Sequence, residues 1–577
     1  MNSQTWIHWL EQGGGARWLA RAALLLGLLV LSGVVAFKQF RGPRSEETLR
    51  QAVVARSLAG GGGYATPVQF PQAHELLKRR GFAENGAAGT PELYQPPGYA
   101  TVLAAAFASL PDATLAKLFA NVPPPPGGFG GDYLLLAVNV VLLWLAAFQA
   151  WQLGRALFDP AAGLIAAIAL LVSVGAWEHT VAVDGTPLAM VLVLAVFEAA
   201  RRALVAESRR ATAWWLFSGC VASAYFLTDY TAAVLVPLLA VCAWRRGRIP
   251  AAAAVLAGAL VVAAPWVVRN ISLTGHLVGL AAQDLALRAD DPTADPEVVR
   301  GTFSAASPAV SLNKVGNKTL TALRDALQKG LWSSGGLFLT AFFVTGWLYR
   351  FRRDEANELR ALATAGLLAL VLAQGACNSG EGERQATAVL APVVILFGAG
   401  FFGVLVSSSN RLAAHPRLAM AGLLVLQAIP LVHGLLEPRR AHFSYPPYYP
   451  ALFQQVAGEL NGRGGSEPAW MSDVPAGAAW YSGREVWAQP ATLRDFYAIH
   501  ADTPLSALVL TPHTLNRSYF GDLSRRRGDE PSRFGDWADL YQALARGQVP
   551  ARFPLARVQK VSDDTYVLLD PVRMTLR

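Results

Sequence analysis

The sequence predicts a polytopic α-helical membrane protein of about eleven spans, with a small α/β domain at its carboxyl end. Three observations carry that prediction. Hydrophobic residues make up 53% of the 577 residues and charged residues only 15%, against roughly 25% charged in soluble domains. Apolar runs long enough for a bilayer recur up to residue 436, and only helices satisfy such a backbone in lipid. Beyond residue 436 the chain turns polar, with short apolar runs at 469–473, 507–512 and 565–570 and helical runs near 449–460 and 537–546. Strands alternating with helices at that spacing make a small α/β domain.

The elements follow in order. Residues 1–16 form a polar tail with two tryptophans, and Trp18 to Phe37 is the first span. No small-X-small cleavage site follows it, so it reads as a retained anchor rather than a signal peptide. Residues 38–131 form a long loop with interfacial helices. Ser45 caps its first helix, Glu46 and Glu47 occupy the first turn where the helix dipole favours acids, and Gly60 to Gly63 end it. Pro96-Pro97-Gly98 breaks the chain before a short apolar helix from Tyr99 to Leu110. Further spans are expected at 132–153, 161–177, 187–200, 212–228, 231–244, 250–268, 335–350, 359–377, 387–406 and 417–436. Residues 1–436 thus form the membrane domain and residues 437–577 the α/β domain.

Charge sets the orientation. The formal charge is +9, but the arginines gather at alternate ends of the apolar runs rather than in a nucleic-acid-binding patch. One set of turns carries Arg155, Arg201, Arg202, Arg209, Arg210, Arg245, Arg246, Arg248, Arg350, Arg352, Arg353, Arg360, Arg411 and Arg417. The opposite turns carry Glu178, Asp184, Asp229, Glu381, Glu383 and one basic residue, Arg384. The positive-inside rule places the first set in the cytoplasm. The amino terminus is then inside, and the first loop, the segment 269–334 and the tail domain are outside.

Several polar side chains lie on that outer side. The acidic pair Glu46–Glu47 suits a general base or a cation site, and equally a helix-dipole device. Asp184, in the turn EHTVAVDGTP with Glu178 and His179, reads as a solvated cap or a site carboxylate. Arg269 either snorkels to the headgroups or grips a phosphate. Arg384 either pairs with Glu381 or Glu383 or binds an anion. Asp229 ends a span and can face the same cavity, and Lys314 and Lys318 lie further along the outer side. Tyr64, Tyr94 and Tyr99 fit an interfacial belt or a sugar platform. The three cysteines show no metal or disulfide spacing, and no GxGxxG, P-loop or GxSxG motif occurs.

Read together, SEETLRQAVVARSLAGGGGYATP with YQPPGYATVLAAAF, then VAVDG, FLTDYTA, PWVVRN and ERQATAVLAP make one ordered pattern. With the late SDVPAGAAWYSGREVW, the chain resembles the GT-C superfamily of integral-membrane glycosyltransferases along nearly its whole length. The resemblance is to bacterial relatives of protein O-mannosyltransferases and aminoarabinose-to-lipid A transferases. It implies a GT-C fold, a polyprenyl-phosphate-linked sugar as donor, and a lipid, glycan or protein acceptor in the bacterial envelope. It places the protein in the inner membrane, surrounded by membrane lipids, with its tail domain in the periplasm. The family's first-loop Asp-Glu pair matches Glu46 and Glu47, its second outer acid matches Asp184, and its phosphate-side basic residues match Arg269 and Arg384. Since Glu replaces the usual Asp, which of Glu46 and Glu47 is the base stays open. Some such relatives bind a divalent metal ion and others need none, so a metal cofactor is undecided. The implied reaction is an inverting transfer through an oxocarbenium-like transition state. A transporter or lipid flippase is the competing class; transporters tend to show inverted repeats and broken midplane helices, whereas this chain concentrates its polar residues in outer loops and one tail domain. A membrane-anchored scaffold would leave the long first loop without a purpose.

Overall fold

The structure is a computed structural model. It describes residues 14–43, 45–82, 89–120, 128–290, 296–303, 310–377, 382–437, 450–461, 468–511, 513–516, 535–562 and 565–570. The class expected from the sequence is the class observed: a multi-pass helical membrane protein with a small α/β region at its carboxyl end.

Among the described residues six helices are long and apolar enough to cross a membrane, or up to nine when three bent pairs count as single spans. The lower number reflects charge and bending rather than missing helices. Thr186–Val205 covers the expected 187–200 span but carries Glu198, Arg201 and Arg202 in its last turns. The expected 161–177 span is two helices, Pro160–Leu171 and Val174–Ala182, bent by 49°. The expected 231–244 and 250–268 spans lie within one helical stretch, Leu235–Thr274. That stretch nevertheless reverses direction. Trp266 Nε1 donates to Tyr230 Oη at 2.9 Å, which brings its two ends together. The first arm runs beside the helix Asp354–Cys377, with Leu235 close to Gly366 and Arg246 paired with Glu358. The turn therefore falls after Arg246, where Pro250 removes a backbone donor and breaks the ladder.

The turns sort onto two opposite ends. On the arginine-rich end, Arg353 donates to the Ala156 carbonyl, and Phe158 meets Phe351 with ring centroids 5.0 Å apart. On the other end, the loop end, Gly98 N donates to the Leu227 carbonyl at 2.6 Å and Leu280 N to the Leu93 carbonyl at 2.9 Å. This is the segregation that the alternating charge of the turns foretells.

The first loop forms as its sequence suggests. Ser45 caps the helix Glu46–Ala59 by accepting from Thr48 N at 3.2 Å, and Gly61 and Gly63 take positive φ just past its end. Two short strands follow, β1 (Ala65–Thr66) and β2 (Val68–Gln69), and β1 pairs with β3 (Thr90–Pro91). The tail adds β4 (Ala469–Ser472), β5 (Val486–Ala488), β6 (Leu505–Leu510), β7 (Arg557–Ser562) and β8 (Thr565–Leu569). They form one six-stranded sheet in the order β2-β5-β4-β6-β8-β7, with β2 from the first loop at its edge. Strands β2, β5, β4 and β6 run parallel, and β6 is buried along its whole length, as a parallel strand between covered faces should be. The loop and the tail are therefore built around a shared sheet.

A candidate active site beneath the first loop

The first loop is fastened to the tail by its own acid. Glu46 is buried, and its two carboxylate oxygens accept the N–H groups of Ala476 at 3.0 Å and Gly477 at 3.3 Å. Those N–H groups open the tail helix Pro475–Ser482, where an acid satisfies otherwise unpaired donors. Burial first, and the nearby Glu297 second, push the Glu46 carboxyl up to about 8, against the pull of Arg50 and the two N–H bonds. The same tail helix is held again at its far end. Trp480 Nε1 and Tyr481 Oη donate to the fully buried Asp132 at 2.9 Å and 3.1 Å, and Arg56 stacks over Phe119 beside them.

Glu47, one residue on, is turned out of that contact. It is exposed, and no hydrogen bond or ion pair ties its carboxylate among the described residues. Its charge reaches Asp229, whose carboxyl is raised by burial, despite bonds from Thr231 and Gln374, with Glu47 adding to the rise. Asp229 accepts from Thr231 N at 2.9 Å, from Thr231 Oγ1 at 2.7 Å and from Gln374 Nε2 at 2.7 Å.

Three turns of the loop end meet below this helix. Besides the Gly98–Leu227 bond, a side chain at Gly98 would strike Thr228 Oγ1 at 2.4 Å, so the close approach of the backbones requires glycine. Gly185 lies against Tyr99 and Thr228, at 3.6 Å and 3.7 Å from the place a Cβ would take. The turns holding Tyr99, Asp184 and Asp229 are therefore in contact. Asp184 is half-buried and paired, with His179 Nδ1 at 2.6 Å and the Thr186 N–H at 2.9 Å. Burial alone would raise its carboxyl, but His179 and the Thr186 bonds hold it below the usual carboxylate range.

Arg269 sits at the rim as a brace. It donates to the carbonyls of Tyr64 at 3.2 Å and Glu92 at 3.0 Å, and its guanidinium stacks over Trp266 and Tyr64. Arg384 lies in the first turn of the helix Gly382–Ser408, and its side chain is outside the described residues. Tyr94 and Tyr99 are buried and Tyr64 is half-buried, all three hydrogen-bonded inward, so none forms an exposed belt. Among the described residues no three His, Cys, Asp or Glu side chains gather to hold a metal ion.

Several participants carried little sequence signal. Asp132 reads as the first residue of an apolar run, and Gln374 as a lone amide near the end of another. Arg50 and Glu92, both buried beside Glu46 and Arg269, look like ordinary loop charges. Only an acid at a span end, as at Asp132, offered a rule by which to find one of them.

Comparison with known proteins agrees with this architecture. Residues 128–268 match the family model of dolichyl-phosphate-mannose-protein mannosyltransferases, a segment that includes Asp132, Asp184 and Asp229. No curated protein sequence matches. Among solved structures the chain is similar to ArnT from Cupriavidus metallidurans bound to undecaprenyl phosphate, at 13% identity and a TM-score of 0.55, over 96% of this chain and 98% of that one. The apo state of the same ArnT gives a TM-score of 0.54 at 13% identity over the same shares. The Archaeoglobus fulgidus oligosaccharyltransferase in complex with Zn and sulfate gives 0.52 at 12% identity, over 88% of this chain and 70% of that one. The chain has the fold of these proteins, the GT-C fold.

Proposed function

We propose that this protein is a GT-C glycosyltransferase that moves a sugar from a polyprenyl-phosphate donor to an envelope acceptor at the loop end of the membrane domain. The observation that carries the proposal is the unequal burial of the acidic pair. Glu46 is fastened to the tail helix, while Glu47 is left exposed within electrostatic reach of Asp229, whose turn meets that of Asp184. Glu46 is buried and both of its carboxylate oxygens already accept backbone N–H groups, so neither is presented to an acceptor hydroxyl. Glu47 is then the general base. Its carboxylate takes the acceptor hydroxyl proton, the acceptor oxygen bonds to the anomeric carbon, and the bond from that carbon to the phosphate oxygen breaks. The lipid phosphate leaves with the electron pair, and displacement from the opposite face inverts the anomeric centre.

Asp184, kept ionised by His179, suits the developing positive charge on the sugar ring. Arg384 is assigned to the phosphate. It stands in the first turn of a 27-residue helix, whose amino-terminal dipole favours an anion. Arg269 gives Nη2 to two loop carbonyls and Nη1 to Asn270, so in this reading it holds the loop over the donor. ArnT was solved with undecaprenyl phosphate, which supports a lipid-phosphate donor here. The domain division at residue 436, the inner-membrane location and the periplasmic tail belong to the same proposal.

The test is transfer by the full chain in nanodiscs. The donors are undecaprenyl-phosphate-linked mannose and a panel of undecaprenyl-phosphate-linked hexoses and pentoses, and the acceptor is an envelope extract. The expected result is release of undecaprenyl phosphate with label appearing in the acceptor, a rate about 10²–10⁴-fold lower for Glu47→Gln, and a retained rate for Glu46→Gln. Movement of the lipid across the bilayer with its sugar bond intact would instead establish a flippase. Normal turnover by Glu47→Gln would remove Glu47 from the role of base.

A further inference from the structure

Val183 is the only non-glycine residue with positive φ, +62°, among the described residues. A β-branched side chain in the left-handed region is strained and persists only where its surroundings enforce it. The strain sits one residue before Asp184.

Two buried side chains enforce it from below. Tyr99 Oη is 3.1 Å from the Val183 carbonyl and 2.9 Å from Asn139 Oδ1, so its single proton is shared between two acceptors. Asn139 Nδ2 donates to the Asp184 carbonyl at 2.9 Å. Tyr99 is 1% exposed and Asn139 is fully buried, in the third turn of the helix Gly130–Leu157. From above, Asp184 Oδ1 accepts the Thr186 N–H and Oδ2 meets His179. A carboxylate that only capped the next helix would need the upper bonds alone. The lower clamp fixes the direction in which the carbonyls of residues 183 and 184 point, and so the direction in which the Asp184 side chain leaves the backbone. Asn139 suits the task because it accepts from Tyr99 with one atom and donates to Asp184 with the other. Aspartate lacks the donor and leucine lacks both.

We propose that Asn139, together with Tyr99, is a positioning residue of the transfer reaction: the pair holds the strained Val183–Asp184 turn so that Asp184 is aimed at the sugar. This rests on the role of Asp184 argued above. Neither Asn139 nor Tyr99 touches donor or acceptor in this arrangement, so their effect belongs in kcat rather than in donor KM.

The experiment uses the full chain in nanodiscs with the undecaprenyl-phosphate sugar that wild type transfers. Asn139→Leu is expected to lower kcat by about 10²-fold, the scale of a reacting group displaced by about 1 Å, with donor KM nearly constant. Tyr99→Phe, which removes one oxygen and keeps the ring, is expected to lower kcat in the same way by about tenfold. In both variants amide hydrogen exchange should rise at residues 183–186 and stay unchanged in the tail domain. Should Asn139→Leu fail to fold, Tyr99→Phe carries the test alone. Wild-type kcat in Tyr99→Phe or Asn139→Leu, alongside loss of transfer in Asp184→Asn, overturns the positioning role and leaves the reading of Asp184 standing. Wild-type kcat in Asp184→Asn overturns that reading itself, and the positioning role falls with it. A raised donor KM at constant kcat overturns the inference as well, since it would put the pair in donor binding.

Discussion

Ala476 donates its backbone N–H to the Glu46 carboxylate at 3.0 Å across 430 residues of chain. The bond ties the start of the first loop helix to the start of a tail helix, and the N–H of Gly477 doubles it. Removing the acceptor leaves two buried donors unsatisfied, each worth about 1–3 kcal/mol. Glu46→Ala is therefore expected to lower the thermal stability of the tail domain in detergent or nanodiscs. Glu46→Gln keeps an acceptor oxygen and should lose much less. Equal melting of wild type and Glu46→Ala would show that the two N–H groups find other partners.

The same carboxyl makes docking depend on pH. Its value is raised from 4.5 when free to about 8 when folded, so the folded state binds the extra proton. The stabilisation is complete below about 4.5 and is lost as pH rises through about 8. Wild type should lose stability across that window relative to Glu46→Gln, whose amide does not titrate. Melting temperatures of the two proteins that stay parallel between pH 4.5 and about 8 would show that the Glu46 carboxyl does not titrate with docking.

What the sequence made legible follows from how far each signal reaches. The helical class and the cap at Ser45 are local signals and appear in the structure, whereas the number and limits of the spans depend on bends and charges that apolar runs do not report. The edge strand β2 is two residues long, too short for any period to register, and it pairs with a strand more than four hundred positions away. The inward turn of Glu46 has the same origin. Nothing between Arg41 and Gly60 distinguishes it from Glu47 until the helix at Pro475 supplies the donors. The apolar runs 231–244 and 250–268 read as two separate spans joined by the connection that carries Arg245, Arg246 and Arg248. Both lie in one helical stretch that turns back near Pro250, and the Tyr230–Trp266 bond reveals the reversal.

Asp132 is the second fastening of the tail helix. It is fully buried and receives both Trp480 and Tyr481, so truncation strands an indole N–H and a phenol O–H. Asp132→Ala is expected to destabilise the docked tail by about 2–4 kcal/mol, while Asp132→Asn retains one acceptor and costs less. Limited proteolysis between the last membrane helix and the tail, read against wild type, measures the release. Asp132→Ala and Glu46→Ala act on opposite ends of one eight-residue helix, so their effects should not add.

Arg269 distinguishes a brace from a phosphate ligand. Its guanidinium reaches two carbonyls of the loop and stacks on two rings at once, with Trp266 at 4.6 Å and Tyr64 at 5.3 Å from the ring centroids. Lysine keeps the charge but cannot present that planar fork. Arg269→Lys is therefore expected to raise amide exchange at Tyr64–Thr66 and at 90–95, the paired segments the arginine ties together. Binding of undecaprenyl phosphate should stay within about threefold of wild type, a change of less than about 0.7 kcal/mol. A tenfold or larger loss of lipid-phosphate affinity with unchanged loop exchange would return Arg269 to the donor phosphate and make the loop contacts secondary.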